Sequence, residues 1–212
     1  LGWTLVWAFF ATFTSYFFGM LLAMLINKKG IRLKKLYRTL FVATIAVPQF
    51  VSLLLMNQML QINRAINILL SNITGQEVAI QFLNNDPLIA RITVIIINCW
   101  VGIPYTILSA SGILMNIPAD LYESARIDGA GPVKQFTKIT LPYMMFVTGP
   151  YLISNFVGNI NNFNVIYLLS QGGPKFTHVN GMPINTNIYD AGQTDLLITW
   201  LYKLAMGSVN KE

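Results

Sequence analysis

Four stretches, at residues 3–26, 40–60, 89–115 and 141–169, are predominantly apolar and long enough to reach across a hydrocarbon layer, a distance that takes about 20 residues of helix. No other feature restricts the fold so strongly. Lipid offers the backbone no hydrogen-bond partners, so each stretch must satisfy its own N–H and C=O groups, and an α-helix does this. The charge content agrees. Only 10% of residues are charged and 54% are hydrophobic, whereas a soluble domain carries about 25% charged residues. The sequence therefore reads as an all-α polytopic bundle, its four spans joined by residues 27–39, 61–88 and 116–140 and followed by a tail from Ser170.

The first connection, 27-NKKGIRLKKLYR-38, contains Lys28, Lys29, Arg32, Lys34, Lys35 and Arg38 and no acid, which equals the whole net charge of +6. Basic connections stay in the cytoplasm. Residues 27–39 and 116–140 are thus predicted to be cytoplasmic, with residues 61–88 and the tail outside. A topology signal explains the charge; the alternative is a specific anionic-lipid site, and nothing here points to nucleic acid. In the tail, Leu196, Leu197, Trp200, Leu201 and Leu204 fall on one helix face. Thr194 or Asp195 is expected to cap that helix. It is too short to span, so it reads as an interfacial helix on the outer surface, or alternatively as a packed helix of a larger assembly. The lone Cys99 excludes an internal disulfide, and His178, the only histidine, reads as a loop residue with no metal site around it. No secretory signal is visible. The chain starts at Leu1 inside an apolar run and is expected to be a piece of a longer protein lacking spans at one or both ends.

Between the third and fourth spans lies 122-YESARIDGAGPVKQFTKITLP-142. Pro118 suits a helix start, residues 119–128 are good helix formers, and Gly129 is a natural stop. Gly131 permits a turn and Pro132 opens a second short helix, with Val133, Phe136 and Ile139 as its apolar stripe and Pro142 at the start of span four. A plain connection needs only a few residues. This one is longer and offers Tyr122, Ala125, Ile127 and Ala130, so it reads as a helix–turn–helix that docks into a partner's groove.

The run Glu123-Ser124-Ala125, then Asp128-Gly129-Ala130, then Phe136, Ile139, Leu141 and Pro142, resembles the signature loop of ATP-binding-cassette import permeases, with Ser124 in place of the first alanine of that pattern. Stretches 46-AVPQFVS-52, 98-NCWVGIPY-105 and 161-NNFNVIYLLSQGGP-174 are similar to the larger permease subunit of maltose-type oligosaccharide importers. The resemblance covers nearly the whole chain and implies a single permease domain of the type I fold over residues 1–212, truncated at both ends, with 116–140 as its coupling loop. It implies that Glu123, Ser124, Ala125, Asp128, Gly129 and Ala130 dock on a cytoplasmic ATPase. It also implies a second permease subunit, an ATPase dimer and an extracytoplasmic sugar-binding protein as partners, in a bacterial-type inner membrane. No G-x-x-x-x-G-K-[ST] motif occurs in the chain. No cofactor is therefore expected here, ATP being bound by the partner subunit, and the chain is read as a transporter subunit, not an enzyme.

Polar residues within spans face a cavity or another helix. Asn98, Gly102 and Tyr105 share one helix face, as Asn155, Asn159 and Asn162 do on span four, while span two carries Pro48, Gln49 and Ser52. Pro104 is expected to kink or locally open span three. Interhelical hydrogen bonds would explain one asparagine; two neutral amide stripes with a phenol suit a sugar better. The resemblance places Gln49, Asn98, Val101, Gly102, Tyr105, Asn159 and Asn162 at substrate-contacting positions. Ile45 and Gly158 stand where the maltose pattern has a tyrosine and a phenylalanine, and Gln49 where it has a serine, which leaves the sugar open. The function implied is uptake of an oligosaccharide, maltodextrin-like, by alternating access. An ion-coupled carrier or a membrane transferase is the alternative, although carboxylates are confined to the connections and tail, apart from Asp86 at a boundary.

Overall fold

The computed structural model describes residues 1–28, 30, 32–176, 178–179, 182–183 and 191–209, with backbone alone at 178–179, 182–183 and 207–209. Lys29 of the basic connection, the His178 side chain and the chain end from 210 lie outside the described residues. In chain order the helices are α1 (Gly2–Asn27), α2 (Lys34–Ile45), α3 (Gln49–Met59), α4 (Ala65–Thr74), α5 (Pro87–Met115), α6 (Ala119–Ile127), α7 (Pro132–Gln135), α8 (Leu141–Ile160), α9 (Phe163–Leu169) and α10 (Leu197–Val209). A π-turn over Phe136–Thr140 joins α7 to α8, and strands β1 (His178–Val179) and β2 (Met182–Pro183) pair antiparallel.

The expected all-α architecture holds apart from that small ribbon, but the spans differ in detail. α1 and α5 are long and apolar enough to cross a membrane, and a third crossing exists if α2 and α3 form one broken span. Span two is not one helix: Ile45 ends α2, and Pro48 stands at the start of α3 with φ −57° and ψ 132°. Proline has no N–H for Thr44 and steers Val47 away from helical geometry. Span four is likewise interrupted, because α8 stops at Ile160 and α9 starts at Phe163. α5, by contrast, runs through Pro104 unbroken.

The described residues form two compact units. The first comprises Leu1–Ala11, Val47–Val101 and the chain from Val157. In it α3 packs on α9, and α9 on α10. Leu53, Val165, Ile166 and Leu169 are fully buried, and Asn57 Nδ2 donates to Leu169 O. α4 was not foreseen in the 61–88 connection. Its buried Asn67 donates to Gln61 O and Ile80 O and accepts from Ile80 N–H, stitching the connection back onto the helix. Trp3 Nε1 donates to Thr194 O and Trp7 Nε1 to Asn159 O, so the start of α1 is tied to both late segments of this unit. α10 does form, but neither Thr194 nor Asp195 caps it as expected. Leu197 N–H donates to Thr4 Oγ1 and Leu196 N–H to Thr199 Oγ1. Thr194 Oγ1 donates instead to Gly173 O, and Asp195 takes Gly192 N–H, Thr199 Oγ1–H and Lys203 Nζ.

The second unit comprises Thr12–Ala46 and Gly102–Phe156. Its core is Tyr16, Met20, Ala23 and Ile26 of α1 against Ile107 and Ala110 of α5 and Met144 and Leu152 of α8. Small residues let the first two helices approach: a Cβ on Gly19 would lie 2.6 Å from Thr106 Cγ2, and one on Gly102 would lie 3.2 Å from Ser15 Oγ. Tyr16 Oη and Thr148 Oγ1 are hydrogen-bonded at 2.7 Å. Asn27 Nδ2 donates to Ser111 Oγ, and Arg38 Nη2 lies 3.5 Å from Met115 Sδ. The two connections predicted to share one side of the membrane therefore leave α1 and α5 at the same end.

Candidate functional site

In the segment after α5, Pro118 precedes the first residue of α6 rather than sitting in its first turn. Asp120 at its start and Arg126 near its end both complement the helix dipole. The helix stops because Gly129 adopts φ +74°, the left-handed region that glycine enters at no steric cost. Ala130 N–H then donates to Ala125 O at 2.8 Å and Gly129 N–H to Arg126 O at 3.0 Å, closing the terminal carbonyls of α6. Gly131 caps α7 in extended geometry, Pro132 opens it, and Gln135 Nε2 donates back to Ala130 O.

The second helix is not a free short one. It continues through the π-turn, where Leu141 N–H donates to Phe136 O, directly into α8. Pro142, expected to start span four, lies just inside α8; the widened turn comes where the proline ring would crowd the carbonyl four residues before it. Glu123, Ser124, Asp128 and Gly129 are exposed, and Ile127 is 87% exposed. Ala125 and Ala130 are half-buried, as is Tyr122, whose hydroxyl bonds Thr140 Oγ1 at 2.8 Å and pins α6 to the base of α8.

In the first unit, Asn98 is 7% exposed, and among the described residues its side chain makes no hydrogen bond. Val101 is half-buried and Gln49, the first residue of α3, is exposed. The second asparagine stripe does not persist as one helix face. Asn159 is buried near the end of α8, whereas Asn162 caps α9, its Oδ1 accepting from Val165 N–H at 3.3 Å and its Nδ2 donating to Asn159 Oδ1 at 3.1 Å. Asparagine amides compete with the backbone ladder, and here that competition ends the helix. In the second unit, Gly102 faces Ser15 on α1 and Tyr105 is 48% exposed.

A sequence-family comparison settles the class of chain to which these features belong. The family described as "Binding-protein-dependent transport system inner membrane component" matches residues 15–210. The chain belongs to this family. It is 33% identical over 98% of its length to the maltodextrin transport system permease protein MdxF of Bacillus subtilis, covering 47% of that protein. It is 36% identical over 98% of its length to the galactooligosaccharides transport system permease protein GanP of the same organism, covering 47% of it. To the maltose/maltodextrin transport system permease protein MalF of Escherichia coli it is 39% identical over 96% of its length, covering 38% of that protein. The chain thus spans less than half the length of each of these relatives. Its fold matches a bacterial ABC transporter involved in import of the acidic polysaccharide alginate, with TM-score 0.69 and 23% identity over 99% of this chain and 68% of that one. A bacterial alginate ABC transporter in complex with an alginate pentasaccharide-bound periplasmic protein gives TM-score 0.73 and 22% identity over 99% of this chain and 67% of that one.

A polar cluster that the sequence reading missed holds the region after α9. Asp195, its side chain 3% exposed, is paired with Lys203 at 2.7 Å, and Lys203 also donates to Gln171 O. Gly172, at φ +83°, lies so close to Asp195 that a side chain there would collide with the carboxylate. Arg91 Nε donates to Gln193 O while its guanidinium lies 4.8 Å from the Trp3 ring centre. The spacing of Asp195 and Lys203 carries no helix-pair signal, and Trp3, Arg91 and Gln193 are distant in sequence.

Proposed function

We propose that this chain is the membrane-spanning portion of a permease subunit of an ATP-driven importer of a neutral oligosaccharide. α1, the α2–α3 pair, α5 and α8 are its four spans, with residues 27–39 and 116–140 on the cytoplasmic side. It works with a second permease subunit, a pair of cytoplasmic ATPase subunits that bind the ATP, and an extracytoplasmic sugar-binding protein. ATP-driven closure of the ATPases moves α6 and the turn behind it, and the spans follow as rigid elements that alternate access.

The observation that carries this reading is the exposed turn of α6: Glu123, Ser124 and Asp128 stand in solvent beside a glycine at φ +74°. A small, rigid, uncovered knob of this kind fits a groove in a partner. The substrate reading rests on Asn98, whose amide has no protein partner among the described residues although it is nearly buried. An asparagine serving only helix packing would be hydrogen-bonded. Asn159 and Val101 in the same unit are proposed to join it in contacting sugar hydroxyls and ring faces; in the second unit Tyr105 is proposed, by itself, as a substrate-contacting residue. Gln49 and Asn162 of the first unit are proposed to contact substrate as well, although Asn162 also caps α9, and Gly102 of the second unit is likewise proposed as a contact residue although it also admits Ser15.

The test is a substitution series at position 129 in the full transporter, read as substrate-stimulated ATP hydrolysis and uptake. A Cβ at Gly129 meets nothing within 4 Å in this chain. Any loss therefore comes from backbone conformation or from the docked partner. Asparagine tolerates the left-handed region better than alanine, so a conformational cause gives activity in the order Gly, Asn, Ala, Val. A partner surface pressed against the turn gives Ala above Asn. Wild-type coupling in Gly129→Val would refute the docking assignment.

A further inference from the structure

The basic connection does more in the fold than mark a membrane side. In the second unit, Arg32, Lys34, Lys35 and Arg38 border a hollow of about 800 Å³ whose lining also includes Leu114 and Met115 at the end of α5. Among the described residues no carboxylate lines it, and none of these four cations is ion-paired. Two of them are fixed in place by the end of α1: Lys34 Nζ donates to Asn27 O and Arg38 Nη2 to Asn27 Oδ1, each at 3.0 Å. Arg32 and Lys35 are exposed. α2 begins at this rim with no side-chain cap and no acid in its first turn, so the positive end of its dipole adds to the potential at the same place.

The apolar side of the feature is equally uncovered. Leu33, Leu36, Tyr37 and Leu40 are 55%, 50%, 45% and 55% exposed, and their spacing of three, four and seven residues puts them along one face. A cationic rim beside an exposed apolar row is complementary to an amphiphile. We propose that the hollow seats the phosphate headgroup of an acidic phospholipid, with its acyl chains against Leu33, Leu36 and Leu40. A free phosphate or an acidic peptide would answer the charge but leave that row bare. The lipid does both, and it removes the repulsion among four cations crowded on one rim.

The test uses the full-length permease in its complete complex, with native mass spectrometry reading retention of phosphatidylglycerol against phosphatidylcholine. Phosphatidylglycerol should be retained preferentially. The double variant Arg32→Gln/Lys35→Gln should lose about 30-fold of that retention, each cation near a surface contributing about 1 kcal/mol. Four cations remain in the connection, enough to hold the orientation of the spans. Arg64→Gln, an exposed cation of the first unit, should change nothing. Inorganic phosphate at tens of millimolar should fail to displace the lipid. Equal retention of the two lipids, unchanged retention in the double variant, an equal loss in Arg64→Gln, or displacement by inorganic phosphate would each overturn the lipid assignment, the last by revealing a small-anion site.

Discussion

Gly19 is where the packing of the second unit is most exposed to a single methyl group. A Cβ there would lie 2.6 Å from Thr106 Cγ2, closer still to Thr106 Cβ, and 3.3 Å from Ile103 O. Carbon atoms at rest sit about 3.5–4.0 Å apart, so α1 and α5 would have to part by about 1 Å. Thr106 cannot easily yield, because it is buried and its hydroxyl donates to Gly102 O. Overpacking of a well-filled contact costs about 1–3 kcal/mol, and a conflict with a Cβ rather than a flexible tip places Gly19→Ala near the top of that range. At about 2–3 kcal/mol the folding equilibrium falls roughly 30- to 150-fold. The measurement is denaturant unfolding of the purified full-length protein in mild detergent. Gly19→Ala/Thr106→Ala keeps the offending Cβ and should recover little, whereas Gly19→Ala/Thr106→Gly removes it and should recover all but about 1 kcal/mol, the helix cost of the new glycine. Wild-type stability in Gly19→Ala, or no recovery in the Thr106→Gly pair, would refute the close-approach argument.

On the proposed function, Asn98→Ala impairs oligosaccharide uptake by the full transporter while leaving assembly with the ATPase intact; normal uptake would return Asn98 to helix packing. Asn162→Ala should destabilise the chain by about 0.5–2 kcal/mol through the lost cap of α9, measured by the same unfolding assay, while Asn162→Ser keeps the cap; reduced uptake in the serine variant would show a further role in the substrate path. Asp195→Ala removes the carboxylate that accepts from Gly192 N–H, Thr199 Oγ1–H and Lys203 Nζ, and leaving buried donors without their acceptor costs about 1–3 kcal/mol; a thermal midpoint equal to wild type would show that this carboxylate contributes nothing to the region after α9.

α1 and α5 were legible from apolar length alone, because backbone satisfaction in lipid leaves a long apolar run one choice. The turn from Ile127 to Pro132 was equally legible, since a glycine that must enter the left-handed region and a proline that presets φ act within a few residues of themselves. The interruption of span two at Pro48 lay within reach of the same local rules, but the uninterrupted apolar run outweighed it. Asn162 illustrates the other limit. At the level of pattern it belongs to a face with Asn155 and Asn159, and only the folded chain shows its amide spent on Val165 N–H and Asn159 Oδ1.

Tertiary structure alone decided the features that join distant segments. Thr4 satisfies the start of α10 across 193 residues, Trp7 reaches Asn159 across 152, and Arg91 reaches Gln193 across 102. It also gathered Lys34, Arg38 and Met115 around one hollow, where the sequence shows only a run of charge and the end of a span. Helix length, turn handedness and membrane orientation follow from residues acting on their immediate neighbours and on the solvent. Which donor finds which acceptor follows from how the helices pack, and no short window of sequence contains that.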